Sequence, residues 1–280
     1  MQRILMRFPG GLSRALTLSY DDGSDQDVRL IQILRDHGLK ATINLNSGLF
    51  APEGTVYPAG QVHRRMTKDQ SVRLYTGSGM EIAVHGLHHP YLEQLPQALL
   101  AREILEDRKN LEDLFGGIVR GMAYPYGTYS PRVVDALRAL DIAYARTVRS
   151  THGFALPQDW LLWDPTCSHL DPELMPLARR FLDLPSGRPP MVFYLWGHSY
   201  EFERDGNWPV IEEFAGLMGR REDIWYAANI EIHDYVEAFR RLQSSADGTR
   251  FHNPTALPLF FETESGAGYA VQPGQTLDVD

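Results

Sequence analysis

Two short polar clusters carry side chains that can bind a metal ion or move a proton. Asp21-Asp22-Gly23 pairs two carboxylates, and His85-Gly86-Leu87-His88-His89 places imidazoles four positions apart. On a helical turn, histidines spaced i, i+4 face one side and can reach one ion. Two neutral imidazole nitrogens and one carboxylate are a usual zinc set that leaves coordination positions open for water.

Each cluster also has an ordinary structural interpretation. D-D-G is common in surface turns, and paired histidines are often exposed on loops. His88 adds a second possibility, because His85 and His88 at i, i+3 could also share an ion. At a strand end, the turn at Gly23 would bring Asp21 and Asp22 into one cleft, where one could bind metal and the other act as a base.

Two further clusters contain aromatic residues and a third candidate histidine. Tyr124-Pro125-Tyr126-Gly127 is compatible with a tight turn that packs its aromatic rings. In Leu195-Trp196-Gly197-His198, the histidine follows a strongly apolar run. His198 is therefore either a hydrogen-bonded core residue or an acid–base group at a strand end. Four tryptophans could stack on a sugar ring: Trp163, Trp196, Trp208 and Trp225. Most tryptophans, however, pack in the core.

The elements that would carry these clusters alternate between apolar runs and segments of helical period. Residues 191–196 form the clearest buried strand, 161–163 read as another, and 67–70 fit a capping box that opens a helix. Repeated βα units imply a mostly parallel sheet with helices outside. We predict an α/β protein with a distorted (β/α) barrel of about seven strands in residues 1–245. In residues 246–280, short segments of alternating pattern are separated by Gly and Pro, which predicts a small C-terminal antiparallel β appendage.

Composition excludes several classes of protein. The 280 residues include 36 acidic and 27 basic side chains, a formal charge of −9. This balance argues against a nucleic-acid partner, because phosphate binding needs clustered Lys and Arg. A single cysteine, Cys167, excludes an internal disulfide and a cysteine-based zinc site. No apolar stretch suits a membrane span or a signal-peptide core, so we expect a cytoplasmic location and no membrane partner. The sequence leaves the oligomeric state open.

All four clusters fall, in chain order, at predicted strand ends, where reactive groups lie in βα barrels. At these residues the sequence resembles a divergent branch of the polysaccharide deacetylase family, carbohydrate esterase family four, over roughly residues 14–243. Residues 19–23 (S-Y-D-D-G) are similar to the family motif T-F-D-D-G, and 85–90 to H-[ST]-x-x-H-P. Residues 123–127 are similar to R-x-P-Y-G, and 195–198 to L-x-x-H.

The resemblance implies a role for each matching residue. Asp21 would be the catalytic base and His198 the general acid. The implied metal ligands, holding one divalent ion, are Asp22, His85 and His89. Zinc is the first expectation for that ion, with cobalt, nickel or manganese as alternatives. The implied substrate-binding residues are Tyr126, through its backbone N–H at the oxyanion, and Leu195 in an acetyl pocket. Trp196, which its position makes a core or pocket-wall residue, is the third candidate to bind substrate.

Two family features are missing at their usual places. The motif arginine that pairs with the base is Ala123 here. Its loss would raise the pKa of Asp21 unless another cation replaces it. Arg146, at the end of the next predicted strand, is the first candidate to orient the base, and Arg120 is the second. The motif D-x-x-D-W, whose aspartate orients the acid, has no clear match. Two places could supply it, Asp159-Trp160 and Asp164.

The implied reaction removes an acetyl group from an N-acetylated or O-acetylated sugar or polysaccharide. Metal-activated water would attack the carbonyl, with Asp21 as base and His198 protonating the leaving group. One alternative is a metal-free hydrolase of another C–N bond, such as a small cyclic amide or imide of the allantoin type. Another is a non-catalytic carbohydrate-binding protein, which Ala123 favours and which the retention of Asp21 and His198 disfavours.

Overall fold

The chain alternates strands and helices through most of its length, in a computed structural model that describes residues 4–185 and 189–279. Its strands are β1 Ile4–Arg7, β2 Arg14–Asp21, β3 Ala41–Leu45, β4 Glu81–Val84, β5 Gly121–Ala123, β6 Tyr144–Arg146, β7 Cys167–Ser168, β8 Met191–Gly197, β9 Trp225–Tyr226, β10 Gln243–Ser244, β11 Arg250–His252, β12 Leu259–Thr263, β13 Gly268–Val271 and β14 Thr276–Asp278. Its helices are α1 Asp27–Asp36, α2 Lys68–Tyr75, α3 Gln97–Phe115, α4 Pro131–Ala139, α5 Leu174–Asp183, α6 Ser199–Arg204, α7 Trp208–Met218 and α8 Asn229–Arg240.

Parallel pairing builds one curved sheet in the order β6-β5-β4-β3-β2-β8-β7, and β9 also pairs with β2. All eight residues of β2 are buried, as expected for a parallel strand covered on both faces. The sheet curls into a half-barrel with β6 and β7 at its edges, which confirms the predicted distorted (β/α) barrel. Because parallel strands share one carboxyl edge, the polar residues that follow β2, β4, β5 and β8 meet there.

The helices begin and end where local signals indicate. Thr67 Oγ1 accepts the Gln70 backbone N–H at 3.3 Å, and Gln70 Oε1 accepts the Thr67 N–H at 2.8 Å, so the predicted capping box is confirmed. α1 buries Leu30 and Leu34 against the sheet. Among the helices of the described chain, none combines the length and the apolar character that a membrane span requires.

The predicted strand at residues 161–163 is wrong. Residues Trp160–Leu162 form a 3-10 turn. The side chain of Asp159 caps this turn by accepting the Leu161 backbone N–H at 2.9 Å, which favours a turn over an extended run. Trp163 makes one isolated bridge to Arg146. The next strand of the sheet is instead β7, a few residues further along the chain, which pairs with β8 on the side away from β2.

The predicted C-terminal antiparallel β appendage is present as two three-stranded sheets, β1-β12-β13 and β10-β11-β14. The N-terminal strand therefore pairs with the tail, with Ile4 opposite Thr263. Tyr235 of α8 fastens this sheet to the barrel, because its hydroxyl donates to the Arg7 carbonyl at 2.6 Å and accepts the Phe260 N–H at 3.0 Å. The division at residue 245 stays a prediction.

Candidate active site

The turn after β2 places both carboxylates of the D-D-G cluster in one cavity. Asp21 ends the strand, and Asp22 follows with φ of 81°, in the left-handed region that side chains rarely adopt. Gly23 continues the turn at φ of 63°, and a Cβ there would lie 2.6 Å from the Leu45 side chain. Asp21 and Asp22 consequently both line a cavity of about 530 Å³.

Backbone strain is concentrated around this cavity. Six non-glycine residues of the described chain have positive φ, and three of them line the cavity. These are Asp22 (φ 81°), His89 (φ 54°) and Tyr126 (φ 57°). Such conformations cost about 1–3 kcal/mol each and persist where the surroundings enforce them, most often at functional sites. The positive φ angles are therefore an independent indication that these three residues belong to a functional site.

Asp22, His85 and His89 form the metal-ligating cluster of this cavity. Each offers one ligand atom, and these atoms lie within 4.8 Å of one another. His85 Nδ1 lies 2.8 Å from the Ala123 carbonyl oxygen, which can only accept, so the proton is on Nδ1 and the Nε2 lone pair faces the cluster. His89 Nε2 lies 3.2 Å from His85 Nε2. This donor set fits a divalent ion.

Protonation in the cluster also suits a metal. Burial, helped by His85, lowers the pKa of His89 to about 4, so its imidazole is neutral at physiological pH. Burial alone would raise the pKa of Asp22, but Arg65 and the nearby histidines lower it to about 2. Arg65 Nη2 donates to Asp22 Oδ1 at 2.8 Å, which leaves Oδ2 for an ion. His88 lies outside the cluster, with Nδ1 2.8 Å from Glu103 Oε1.

Arg146 lies where the missing motif arginine would act. Its Nη2 donates to Asp21 Oδ2 at 2.5 Å, and Asn44 Nδ2 donates to Asp21 Oδ1 at 2.8 Å. Ala123 on β5 and Arg146 on β6 are direct register partners. A guanidinium can therefore reach Asp21 from the adjacent strand instead of from position 123. Arg120 instead donates to Asp234 at 2.6 Å and does not line the cavity.

The electrostatics of Asp21 follow from these contacts. Asp21 and Arg146 are 2 % and 1 % exposed, so the ion pair is buried. Burial raises the pKa of Asp21, but Arg146, followed by His85 and His198, more than offsets it, and the net pKa is lowered. The Arg146 guanidinium also lies 4.5 Å from the centre of the Trp196 ring.

His198 faces Asp21 from the opposite wall. It precedes α6 as its N-cap, and its Nε2 lies 3.8 Å from Asp21 Oδ2. Its Nδ1 lies 3.2 Å from Glu201 Oε2, and the same oxygen accepts the His198 backbone N–H at 3.2 Å. Burial lowers the pKa of His198, but the hydrogen bond to Glu201 and the charge of Asp21 outweigh burial and raise it.

The carboxylate that contacts His198 is therefore Glu201. The two aspartates that the sequence suggested for this role, Asp159 and Asp164, lie elsewhere. Asp159 caps the 3-10 turn described above, and Asp164 contacts Thr147 and Arg149. Sequence reasoning missed Glu201 because it searched for an aspartate in a separate motif. The available signal was the spacing H-x-x-E, which is a capping-box spacing with histidine at the N-cap position.

A second buried histidine, His169, lies behind Glu201. Its Nε2 is 3.4 Å from Glu201 Oε2, and its ring stacks between Tyr20 and Phe202, with centroid distances of 5.7 and 4.1 Å. Its position also explains the glycine of W-G-H. A Cβ at Gly197 would lie 1.9 Å from His169 Nδ1, so only glycine fits beneath the ring.

The three predicted substrate-binding residues are not all in the cavity. Tyr126 and Trp196 line it. Leu195 is fully buried in the hydrophobic core and is absent from the cavity wall, because neighbouring side chains on β8 point to opposite faces. Among the tryptophans, Trp196 alone of the four candidates lines this cavity, and Trp163 packs against Tyr194 in the core.

The cavity residues that were not predicted include His63, Arg65 and Tyr200. His63 stacks on Tyr200 with a centroid distance of 4.3 Å, and its Nε2 lies 3.6 Å from Asp22 Oδ2. His63 and Arg65 come from a loop without periodic pattern, so the sequence carries no local signal for their role. Tyr200 lies within the residues after His198, and only the turn into α6 directs it at the cavity.

The fold and the cavity define a class of protein: a parallel α/β half-barrel with carboxylates and histidines at the carboxyl edge of its sheet. Residues 11–145 match the family model of polysaccharide deacetylases. This match supports the resemblance to the polysaccharide deacetylase family that the four sequence clusters indicate.

Two solved structures share the fold. A Mycobacterium smegmatis protein assigned to the polysaccharide deacetylases superposes with a TM-score of 0.61 at 17% identity, covering 86% of this chain and 96% of that one. The Xyl-CE4 domain of a multidomain xylanase, from the hindgut metagenome of Trinervitermes trinervoides, gives a TM-score of 0.52 at 15% identity, covering 80% and 92%. No curated protein sequence matches the chain.

Proposed function

We propose that this protein is a metal-dependent deacetylase that hydrolyses the acetyl group of an N-acetylated or O-acetylated sugar. The observation that carries the proposal is the placement of Asp21 between a metal-type cluster and a histidine. Asp21 Oδ2 lies 3.7 Å from His85 Nε2 and 3.8 Å from His198 Nε2. A carboxylate and an imidazole that flank one small volume beside a metal site suit hydrolysis of an acyl group.

In this proposal Asp22, His85 and His89 hold one divalent ion, with zinc as the first expectation. Such an ion, when bound, polarises the acetyl carbonyl and makes water a stronger nucleophile. The chain contributes the orientation of the ligands. The Ala123 carbonyl fixes the tautomer of His85, and Arg65 holds one oxygen of Asp22.

Asp21 is the proposed general base. Its lowered pKa keeps it ionised at neutral pH, so it can accept the proton of the attacking water. Arg146 and Asn44 bind both of its oxygens and hold the carboxylate in one orientation. The backbone N–H of Tyr126, in the strained turn after β5, is the proposed donor to the oxyanion that forms on the acetyl oxygen.

His198 is the proposed general acid, which protonates the departing amine or alkoxide. An acid must carry its proton at working pH, and the raised pKa of His198 favours that form. Glu201 is a positioning residue here, because it accepts from Nδ1 and leaves the Nε2 proton aimed at the cavity. This arrangement supplies the orientation that the unmatched family aspartate would otherwise provide.

Two features favour this reaction over the alternatives. The complete trio of Asp22, His85 and His89 supports metal-dependent hydrolysis over a metal-free cyclic-amide hydrolase. The ion pair of Arg146 with Asp21 supports catalysis over simple sugar binding, because a binding protein has no need to depress the pKa of a buried carboxyl.

The proposal is tested by elemental analysis combined with acetate release. We expect about one divalent ion per chain in the wild type and none in a double variant with His85→Ala and His89→Ala. The wild type should release acetate from acetylated sugars and leave cyclic amides intact. Activity that survives in the metal-free double variant would contradict the proposal, as would turnover of cyclic amides alone.

A further inference from the structure

One side of the active-site cavity is closed by residues 62–66, which we name the strap. Backbone hydrogen bonds tie the strap to the D-D-G turn. The Asp25 N–H donates to the Arg64 carbonyl at 2.8 Å, and the Met66 N–H donates to the Gly23 carbonyl at 3.0 Å. The strap therefore pairs like a short extra strand with the turn that carries both carboxylates.

Arg64 fastens the strap to both flanks of the cavity without entering it. Its Nη1 and Nη2 donate to the two carboxylate oxygens of Glu203 on α6, both at 2.8 Å. Its Nε donates to Asp25 Oδ2 at 2.6 Å. A bidentate pair of this kind fixes direction as well as distance. Arg64 thus acts as a latch between the D-D-G turn and the helix that follows His198.

The two neighbours of Arg64 point into the cavity. Arg65 donates to Asp22 Oδ1 at 2.8 Å and to Asn46 Oδ1 at 2.9 Å. His63 stacks on Tyr200, and its buried Nε2 has no hydrogen-bond partner among the described residues. The same Nε2 lies 3.6 Å from Asp22 Oδ2, so His63 presents a polar ring beside this carboxylate. The strap side is therefore walled, and its wall is polar.

The other side of the cavity is open and aromatic. Tyr91 and Tyr126, which we name the shelf, stack at 4.1 Å with 14° between their ring planes. They are 43 % and 52 % exposed. The shelf follows β4 and β5, whereas the strap lies over β2, β3 and the start of α6 after β8. The sheet order β5-β4-β3-β2-β8 places the two features on opposite sides of the site.

From this asymmetry we infer that the site takes an acetylated sugar at the end of a chain, or a single acetylated sugar, and excludes internal units. This inference rests on the proposed function. The acetylated ring would lie against the strap, and a following unit would leave over the shelf, whose exposed rings can pack on a pyranose face. An internal unit has neighbours on both sides, and the strap fills the space that one of them needs. The cavity of about 530 Å³ is of the size that holds one small ligand.

The inference is tested with N-acetylglucosamine and its β-1,4-linked dimer, trimer and tetramer. Acetate release is measured, and mass-spectrometric sequencing locates each free amine. Hydrolysis of 4-nitrophenyl acetate reports catalysis independently of sugar binding. We expect free amines at one terminal unit, with internal units slower by about tenfold or more.

Three outcomes separate the inference from the proposed function. Internal units that react as fast as the terminal unit would overturn the inference and leave the proposed function standing. Metal-dependent hydrolysis of 4-nitrophenyl acetate without loss of acetyl from any of the sugars would also overturn it. Failure to hydrolyse both the sugars and the ester would overturn the proposed function, and the inference with it.

The latch provides a second test with matched variants. Arg64→Ala and Glu203→Gln remove the same ion pair from opposite sides, and neither residue lines the cavity. Both should raise the ratio of internal to terminal deacetylation about fivefold, since a loosened wall admits a neighbouring unit. The control is Arg102→Ala, which removes an exposed pair with Glu106 on α3. If both latch variants keep the wild-type ratio, the strap does not set the specificity.

Discussion

The two halves of the site, one around Asp21 and the other around His198, are built on different principles. Asp21 ends β2, an interior strand of the sheet, and its partners Arg146 and Asn44 come from strands β6 and β3. His198 is the N-cap of α6, and its partner Glu201 lies three residues further along the chain. The base is thus held by long-range contacts through the sheet, and the acid by a local turn.

Burial follows the same division. The Asp21 side chain is 3 % exposed and that of His198 is 22 % exposed. A rigid, dry setting suits the base, because its carboxylate must stay ionised and immobile beside the metal site. A partly open setting suits the acid, because it must deliver a proton to a leaving group and regain one from solvent. The burial of each catalytic group therefore follows the origin of its partners: distant strands enclose Asp21, and a local turn leaves His198 partly exposed.

The largest expected effect comes from Asp21→Asn. Asparagine keeps the shape but can accept from only one of the two donors, Arg146 and Asn44, that flank Asp21. It also cannot take a proton, so turnover should fall about 10²- to 10⁴-fold. Both amide and ester substrates should suffer equally, because each reaction begins with attack by water. The measurement is kcat on an acetylated amine and on an acetyl ester, with metal content as the control. Full activity in this variant would show that Asp21 is not the base.

His198→Ala should sharpen the comparison, because the acid matters only for a poor leaving group. We expect a loss of about 10²-fold or more on an N-acetyl substrate. On 4-nitrophenyl acetate, whose phenolate leaves without protonation, the loss should stay below about tenfold. Parallel kcat measurements on both substrates decide the point. Equal losses on the two substrates would mean that His198 acts in binding or in the attack step.

Replacing Arg146 by alanine should destabilise the fold around Asp21, and a second substitution on the neighbouring strand should restore part of the stability. The variant leaves a buried carboxylate unpaired, which costs about 3–5 kcal/mol of folding free energy. Because Ala123 and Arg146 are register partners, adding Ala123→Arg to the variant should recover part of this stability. Urea unfolding of both variants provides the measurement. A double variant that is no more stable than Arg146→Ala would show that position 123 cannot reach Asp21.

The difference between the halves also explains what the sequence could predict. The motifs and the family resemblance that they carry were enough to select Asp21, the three implied metal ligands and Arg146 as a candidate partner of the base, and parallel strands that end at one edge bring these residues together. Glu201 was not selected, since its role depends on a short helix that begins at His198. The strap could not be predicted, because an aperiodic loop is held at the cavity by tertiary contacts: its backbone hydrogen bonds to the D-D-G turn and the side-chain contacts of Arg64 and Arg65.

The smallest expected effect, from Glu201→Gln, tests whether the acid half depends on charge or on shape. Glutamine keeps a hydrogen-bond acceptor for His198 Nδ1 but removes a negative charge that raises the pKa of His198. The acid works while protonated, so activity falls as pH rises through its pKa. Lowering that pKa should move the alkaline limb of the pH–rate profile to lower pH, with a loss of about tenfold above the limb and little change below it. The profile of kcat/KM measures this shift, and NMR titration of His198 measures the pKa itself, whether or not the enzyme turns over. Glu201→Asp serves as the matched control, because it keeps the charge and shortens the reach. If the aspartate variant shows the same shift as the glutamine variant, distance rather than charge governs the acid, and the local turn acts by orientation alone.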